Sequence, residues 1–181
     1  VNVVSRGKAG VLGIGSEPAK VRVEVLDTPS DVLKAATEII DHVISLLDLS
    51  VVSTLTQAEQ EGLGGPAFNI EGDDAGLLIG RRGETLKSFQ FLIRYMVSQR
   101  LGALTNVQVD VEGYQERRYQ ALTNMASRVA RRVADTGRSI TMEPMPPNER
   151  RIVHLALADH PRVTTESQGE GSGRQVVVQT R

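Results

Sequence analysis

Two groups of residues in this chain have the types and spacing to do chemistry. The first is Gly80-Arg81-Arg82-Gly83, set in Leu77-Leu78-Ile79-Gly80-Arg81-Arg82-Gly83-Glu84-Thr85-Leu86. Glycines three apart let the backbone turn tightly and approach a partner closely, because neither presents a Cβ. Two side chains of fixed positive charge stand between them. Such a loop suits the grip of a nucleic-acid backbone over about four nucleotides. The second group is Arg150 and His154, four residues apart and therefore neighbours on one helical face. A guanidinium is a planar, bidentate donor for phosphate, and an imidazole adds a second donor. Each group also has a plain reading. The loop is then a solvated basic turn, and Arg150 is a surface residue paired to Glu149 or another acid.

The elements around these groups follow from hydrophobic periodicity. Val1 to Val4 and Val21 to Leu26 read as short strands, separated by a loop carrying Gly10, Gly13 and Gly15. The spacing of those three glycines does not fit a dinucleotide fingerprint, so they shape a turn. Thr28-Pro29-Ser30-Asp31 starts a helix, with Thr28 as N-cap and Pro29 in the first turn. Its apolar stripe is Val32, Ala36, Ile39, Val43, Leu46 and Leu47, with His42 off the stripe and solvated. Val51 to Thr56 and Ala67 to Ile70 are strands joined through a turn at Gly62-Leu63-Gly64-Gly65-Pro66. Asp73 and Asp74 open a very short helix that runs into the glycine loop. A long helix from Glu84 to Leu101 follows, with Leu86, Phe89, Ile93, Met96 and Val97 on one face. Gly102 stops it, and Val107 to Val111 alternates as a strand.

Downstream, a helix from Tyr114 to Asp135 carries the stripe Leu122, Met125, Ala126, Val129 and Val133. Arg128 and Arg131 project away from it. Ile140 to Met142 reads as a strand, and prolines 144, 146 and 147 precede a helix over 148–159. At about 100° per residue, Arg150 and His154 lie opposite Ile152, Leu155 and Ala156, which the spacing assigns to the core. Strands at Val163 to Glu166 and Gln175 to Thr180 flank the loop Gly169-Glu170-Gly171-Ser172-Gly173. The fold class is α+β.

Composition narrows the function classes. The chain has 181 residues, 24% charged and 40% hydrophobic, an ordinary balance for a globular protein. It has no cysteine, which removes disulfides, thiolate chemistry and Cys-ligated zinc. No cofactor or metal is expected. No apolar stretch approaches the ~18 residues needed to cross a bilayer, and the expected location is the cytoplasm. A net charge of −1 argues against indiscriminate coating of nucleic acid and leaves local basic surfaces open. Charge is indeed uneven: Glu71, Asp73 and Asp74 precede the glycine loop, while Arg117, Arg118, Arg128, Arg131, Arg132 and Arg138 crowd the next stretch. Aromatic residues make up 3%, too few for a multi-base stacking platform.

The order helix, strand, strand, short helix, glycine loop, helix, strand over 28–111 resembles the type II KH domain. The Arg-x-x-x-His spacing, Met142-Glu143-Pro144-Met145 before it and Thr165-Glu166-Ser167-Gln168-Gly169 with Arg174-Gln175-Val176-Val177-Val178 after it resemble another module. That module is the small single-stranded-nucleic-acid-binding domain named for the Arg-His pair. In tandem the two resemble the bacterial Jag family, also called KhpB or EloR. Lys8-Ala9-Gly10-Val11-Leu12-Gly13-Ile14-Gly15-Ser16 and Ala19-Lys20-Val21-Arg22-Val23 are similar to the second half of that family's N-terminal domain. The expected domains are 1–27 (partial N-terminal), 28–112 (KH) and 113–181 (Arg-x-x-x-His). The start at Val1 suggests that a longer parent has lost the front of the first. Pro146-Pro147-Asn148 departs from the family, which is expected to place a residue such as Tyr before Glu149.

The resemblance implies a non-enzymatic RNA-binding protein. Amides around Gly80 and Gly83 would receive phosphates at the start of the long helix, with Arg81 and Arg82 adding charge. Leu78, Ile79 and the return strand would line a groove for bases. Lys87, Arg128 and Arg131 complete the basic candidates, and Arg150 with His154 would hold a second stretch of strand. The implied partners are single-stranded RNA, a small stand-alone KH protein or a second copy, and membrane-associated envelope machinery, with a role in cell elongation and division. Two other classes are weighed. One is a protein scaffold, for which Phe91 and Tyr95 share a face apart from the apolar stripe. The other is a nucleic-acid enzyme, for which no P-loop, metal-ligand cluster or activated nucleophile is present in the sequence.

Overall fold

The computed structural model describes residues 2–5, 20–22, 29–58 and 64–181. The chain divides into two compact units, Val1–Glu112 and Gly113–Arg181. At the front of the first, β1 (Asn2–Ser5) and β2 (Lys20–Arg22) pair antiparallel. The expected extension of the second strand to Leu26, the glycines between the strands and the Thr28 cap lie outside the described residues.

The rest of the first unit is a three-stranded sheet covered by helices. Helix α1 (Pro29–Leu47) leads into β3 (Val51–Gln57) and β4 (Ala67–Gly72). Then come α2 (Ala75–Ile79), one 3-10 turn over Arg81–Gly83, α3 (Glu84–Leu101) and β5 (Gln108–Val111). Strand β4 is central, antiparallel to β3 and parallel to β5. Phe68 and Ile70 of β4 and Val109 and Val111 of β5 are buried at alternate positions, so one sheet face makes the core. Leu86, Phe89, Ile93 and Val97 of α3 fill the other side. Edge strand β5 is closed by α3: Gln90 accepts from the Val109 amide at 2.6 Å and donates to the Val107 carbonyl.

The stripe of α1 is rotated from the expected one. Ala35, Ala36, Ile39, Ile40, Val43 and Ile44 are buried, whereas Leu46 and Leu47 are exposed. Apolar pairs recur at every turn of this helix, and only packing selects which of them face the sheet. His42 is exposed, as its position off the stripe suggests. Asp74 occupies the position before α2 without a side-chain cap; its Oδ2 instead accepts from the Ser50 amide at 2.8 Å.

In the second unit α4 (Tyr114–Thr136) and α5 (Pro147–Leu157) pack together and against a small antiparallel sheet. The sheet order is β6 (Ile140–Thr141), β8 (Gln175–Thr180), β7 (Val163–Gln168), with β8 central. Ala126, Ala130, Val133, Met142, Met145, Val153, Leu157, Val163, Val176 and Val178 form one core. On α4 Met125 is exposed and Ala130 takes its expected place, since a small residue there allows closer approach of the neighbouring layer.

The facing of α5 is a correction. Leu155 and Ala156 are exposed and Ile152 is half-buried; the core stripe is Glu149, Val153 and Leu157. Apolar residues occupy several sides of this short helix, so spacing could not select one. The buried residue that decided it is an acid. Glu149 is 4% exposed and is held by Arg118 of α4 through two parallel contacts, Nε to Oε1 at 2.7 Å and Nη2 to Oε2 at 2.9 Å. This bidentate pair locks α5 against α4.

Candidate functional site

The glycine loop is built by a run of left-handed backbone. Gly80 has φ 66° and ψ −168°, Arg82 has φ 55°, and Gly83 has φ 78°. A Cβ on Gly80 would lie 1.9 Å from the Thr85 hydroxyl oxygen, so this glycine is required by contact as well as by dihedral angle. Arg82 adopts a conformation that few non-glycine residues take, and such local cost concentrates at functional turns. Arg81 is exposed and Arg82 half-buried, while Lys87 and Glu84 lie exposed on the first turn of α3. No side chain caps that helix start, and the Glu84 amide donates to the Arg81 carbonyl within the turn.

Two expectations for this loop are corrected. The Gly80 amide donates to the Gly76 carbonyl at 3.1 Å, so it closes α2 and is not offered to a phosphate. Leu78 is 3% exposed and belongs to the core; its side chain cannot line a groove. The exposed leucine of α2 is Leu77, and Ile79 is half-buried beside the loop.

In the second unit Arg150 and His154 are both half-buried, next to the core stripe and not opposite it. Arg150 Nη1 donates to the Met145 carbonyl at 2.9 Å, so the guanidinium is anchored without being neutralised. Glu149, its expected acidic partner, is taken by Arg118. The His154 ring is clasped on both sides: Nδ1 lies 2.6 Å from the Thr165 hydroxyl and Nε2 lies 2.7 Å from the Ser167 hydroxyl. Thr165 and Ser167 are two apart on β7 and so share a face. Burial, and next the nearby Arg150 charge, hold the His154 pKa below its usual value. Both effects favour the neutral ring over the imidazolium. Arg128 and Arg131 stand exposed on α4.

Sequence reasoning missed Thr165, Ser167 and Arg118 as partners. The alternation of two hydroxyl residues along a strand was a visible signal for the first two. Nothing local marks Arg118, because the pairing joins two helices 31 positions apart. Among the described residues no group of three or more His, Asp or Glu is placed to hold a metal, and no helix is long and apolar enough to cross a membrane.

The fold and these two sites define a tandem α+β protein with a KH-type arrangement followed by an Arg-x-x-x-His domain. Residues 120–180 match the R-x-x-x-H domain family, named for that Arg-His spacing. The chain is 38% identical over 177 residues to a Clostridium symbiosum protein named RNA-binding protein KhpB, covering 97% of this chain and 77% of that one. A Bacillus subtilis protein of the same name is 34% identical over 183 residues, covering 98% and 84%. A Streptococcus pneumoniae protein, again so named, is 31% identical over 156 residues, covering 86% and 47%. The chain belongs to the KhpB family, also known as Jag.

Proposed function

We propose that this chain binds single-stranded RNA, without catalysis, through the glycine loop at the start of α3 and through the Arg150 face of α5. The carrying observation is the loop: three residues with positive φ, two arginines, and an uncapped start to an 18-residue helix. A helix start of this kind attracts a phosphate through its dipole. The names of the relatives and the match of residues 120–180 to the Arg-x-x-x-His family support the same reading. Phosphates supply most of the affinity, and bases meeting Leu77, Ile79 and β4 supply the selectivity. On this reading residues 1–27 are part of an N-terminal domain, 28–112 the KH domain and 113–181 the Arg-x-x-x-His domain. The wider role, supported by family resemblance, is control of cell elongation, division and envelope biogenesis.

Changing both Arg81 and Arg82 to Asp tests the loop. Binding of a labelled single-stranded RNA is expected to fall at least tenfold, roughly the loss of one or more charge-assisted contacts, with the melting temperature almost unchanged. Wild-type affinity in that variant sinks the clamp. A second reading, a protein scaffold, is favoured by α3: Phe91 and Tyr95 are exposed and stacked, with centroids 6.3 Å apart. A small KH protein or a second copy would cover them. Association that survives RNA removal and is lost in Phe91→Asp supports that reading.

A further inference from the structure

Arg150 and Arg174 belong to one closed circuit of contacts. Arg150 Nη1 donates to the Met145 carbonyl at 2.9 Å, and the Met145 amide donates to the Arg174 carbonyl at 3.2 Å. Arg174 Nη2 in turn donates to the Ser167 carbonyl at 3.4 Å. The Ser167 hydroxyl meets His154 Nε2 at 2.7 Å, and His154 lies one helical turn beyond Arg150. Each guanidinium carries five N–H donors and commits one nitrogen to this circuit. Among the described residues neither arginine is paired with a carboxylate. Arg174 is exposed.

The histidine has a different place in the circuit. A neutral imidazole has one N–H donor and one acceptor. With both ring nitrogens on hydroxyls, one hydroxyl donates to the ring and the other receives from it. The receiving hydroxyl keeps its own proton for a ligand. With Nε2 protonated, that hydroxyl is Ser167, which lies between the two arginines in the circuit.

We infer that Arg150, Arg174 and the Ser167 hydroxyl form a single cradle for an RNA phosphodiester, with His154 as a positioning residue that fixes Ser167 and Thr165. This deepens the proposed RNA binding of the second unit and rests on it. Arg174 thereby becomes a binding residue contributed from the hairpin between β7 and β8, one position before β8 begins.

The test measures binding of a fluorescein-labelled single-stranded RNA, long enough to reach both units, to the full chain across a range of salt concentrations. Arg174→Ala is expected to weaken binding about tenfold or more, as for one charge-assisted hydrogen bond. It should also reduce the slope of log affinity against log salt by about 0.7, one phosphate contact. Arg174→Lys should keep the slope and recover part of the affinity. His154→Gln and Ser167→Ala should weaken binding with the slope unchanged, since neither removes a cation. Melting curves confirm that the variants are folded. If Arg174→Ala binds with wild-type affinity and slope, the cradle is wrong while RNA binding stands. A reduced slope in His154→Gln overturns the positioning role. A wild-type chain that does not bind the RNA overturns the proposed function, and the cradle falls with it.

Discussion

The surroundings of His154 favour its uncharged form, and this has a consequence for stability. Its pKa is lowered in the folded chain, first by burial and then by Arg150. Protonation therefore favours the unfolded state, whose imidazole titrates near the ordinary 6.5. The contribution of the neutral ring is complete above that value and is lost as pH falls through the lower folded pKa. The stability difference between wild type and His154→Gln, followed by chemical denaturation, should shrink steadily from pH 7.5 toward pH 5, by the same linkage. A difference that grows on acidification means that the imidazolium is the favoured form in the fold. The same neutrality explains why Arg150 tolerates a histidine one turn away, where two cations would repel.

At the scale of elements, the Arg118–Glu149 pair decides how α5 meets α4. Glu149 is almost fully buried and Arg118 remains partly accessible. Glu149→Ala leaves a cation without its partner, and a loss of about 2–3 kcal/mol is expected, somewhat below the range for fully buried pairs. Replacing the pair together, Arg118→Met with Glu149→Leu, should restore most of that stability, as measured by thermal and urea denaturation. If the double variant is as unstable as the single, the pair does more than satisfy its own charges. Such a pair fixes geometry more than it adds stability. Here the geometry it fixes is the facing of α5, and so the exposure of Arg150. The α3 helix shows the same coupling: Thr85 sits against Gly80, and the helix start is thereby held at the loop.

At the scale of the whole molecule, the two proposed binding faces reside in separate compact units on one chain. Tethering makes the second contact intramolecular, so two weak sites give an avidity above either alone. The Arg81→Asp/Arg82→Asp variant and an Arg150→Ala/Arg174→Ala variant should each lose much of the affinity for an RNA long enough to reach both sites. For an RNA too short to span them, at least one of the two variants should bind as wild type does. Equal losses on short and long RNA from both variants would mean that the sites do not act together. With a net charge of −1, the proposed attraction must come from local surfaces and not from the chain as a whole.

Much of this was readable from the residue order. The span of α3 from Glu84 to Leu101, the left-handed stop at Gly102, the order of elements around the glycine loop and the i, i+4 placement of Arg150 and His154 all depend on local spacing and backbone preference. Local rules act within a turn or two, and sequence displays them directly. Which side of a helix faces inward is another matter when apolar residues surround it. In α5 the choice fell to Glu149 and its distant partner, and in α1 to the packing of Ile40 and Ile44. The commitment of the Gly80 amide to Gly76, the burial of Leu78 and the clasping of His154 by Thr165 and Ser167 likewise appear only once the chain has closed on itself. Periodicity reports what a segment can bury, and only the completed packing settles which atoms remain free to meet a ligand.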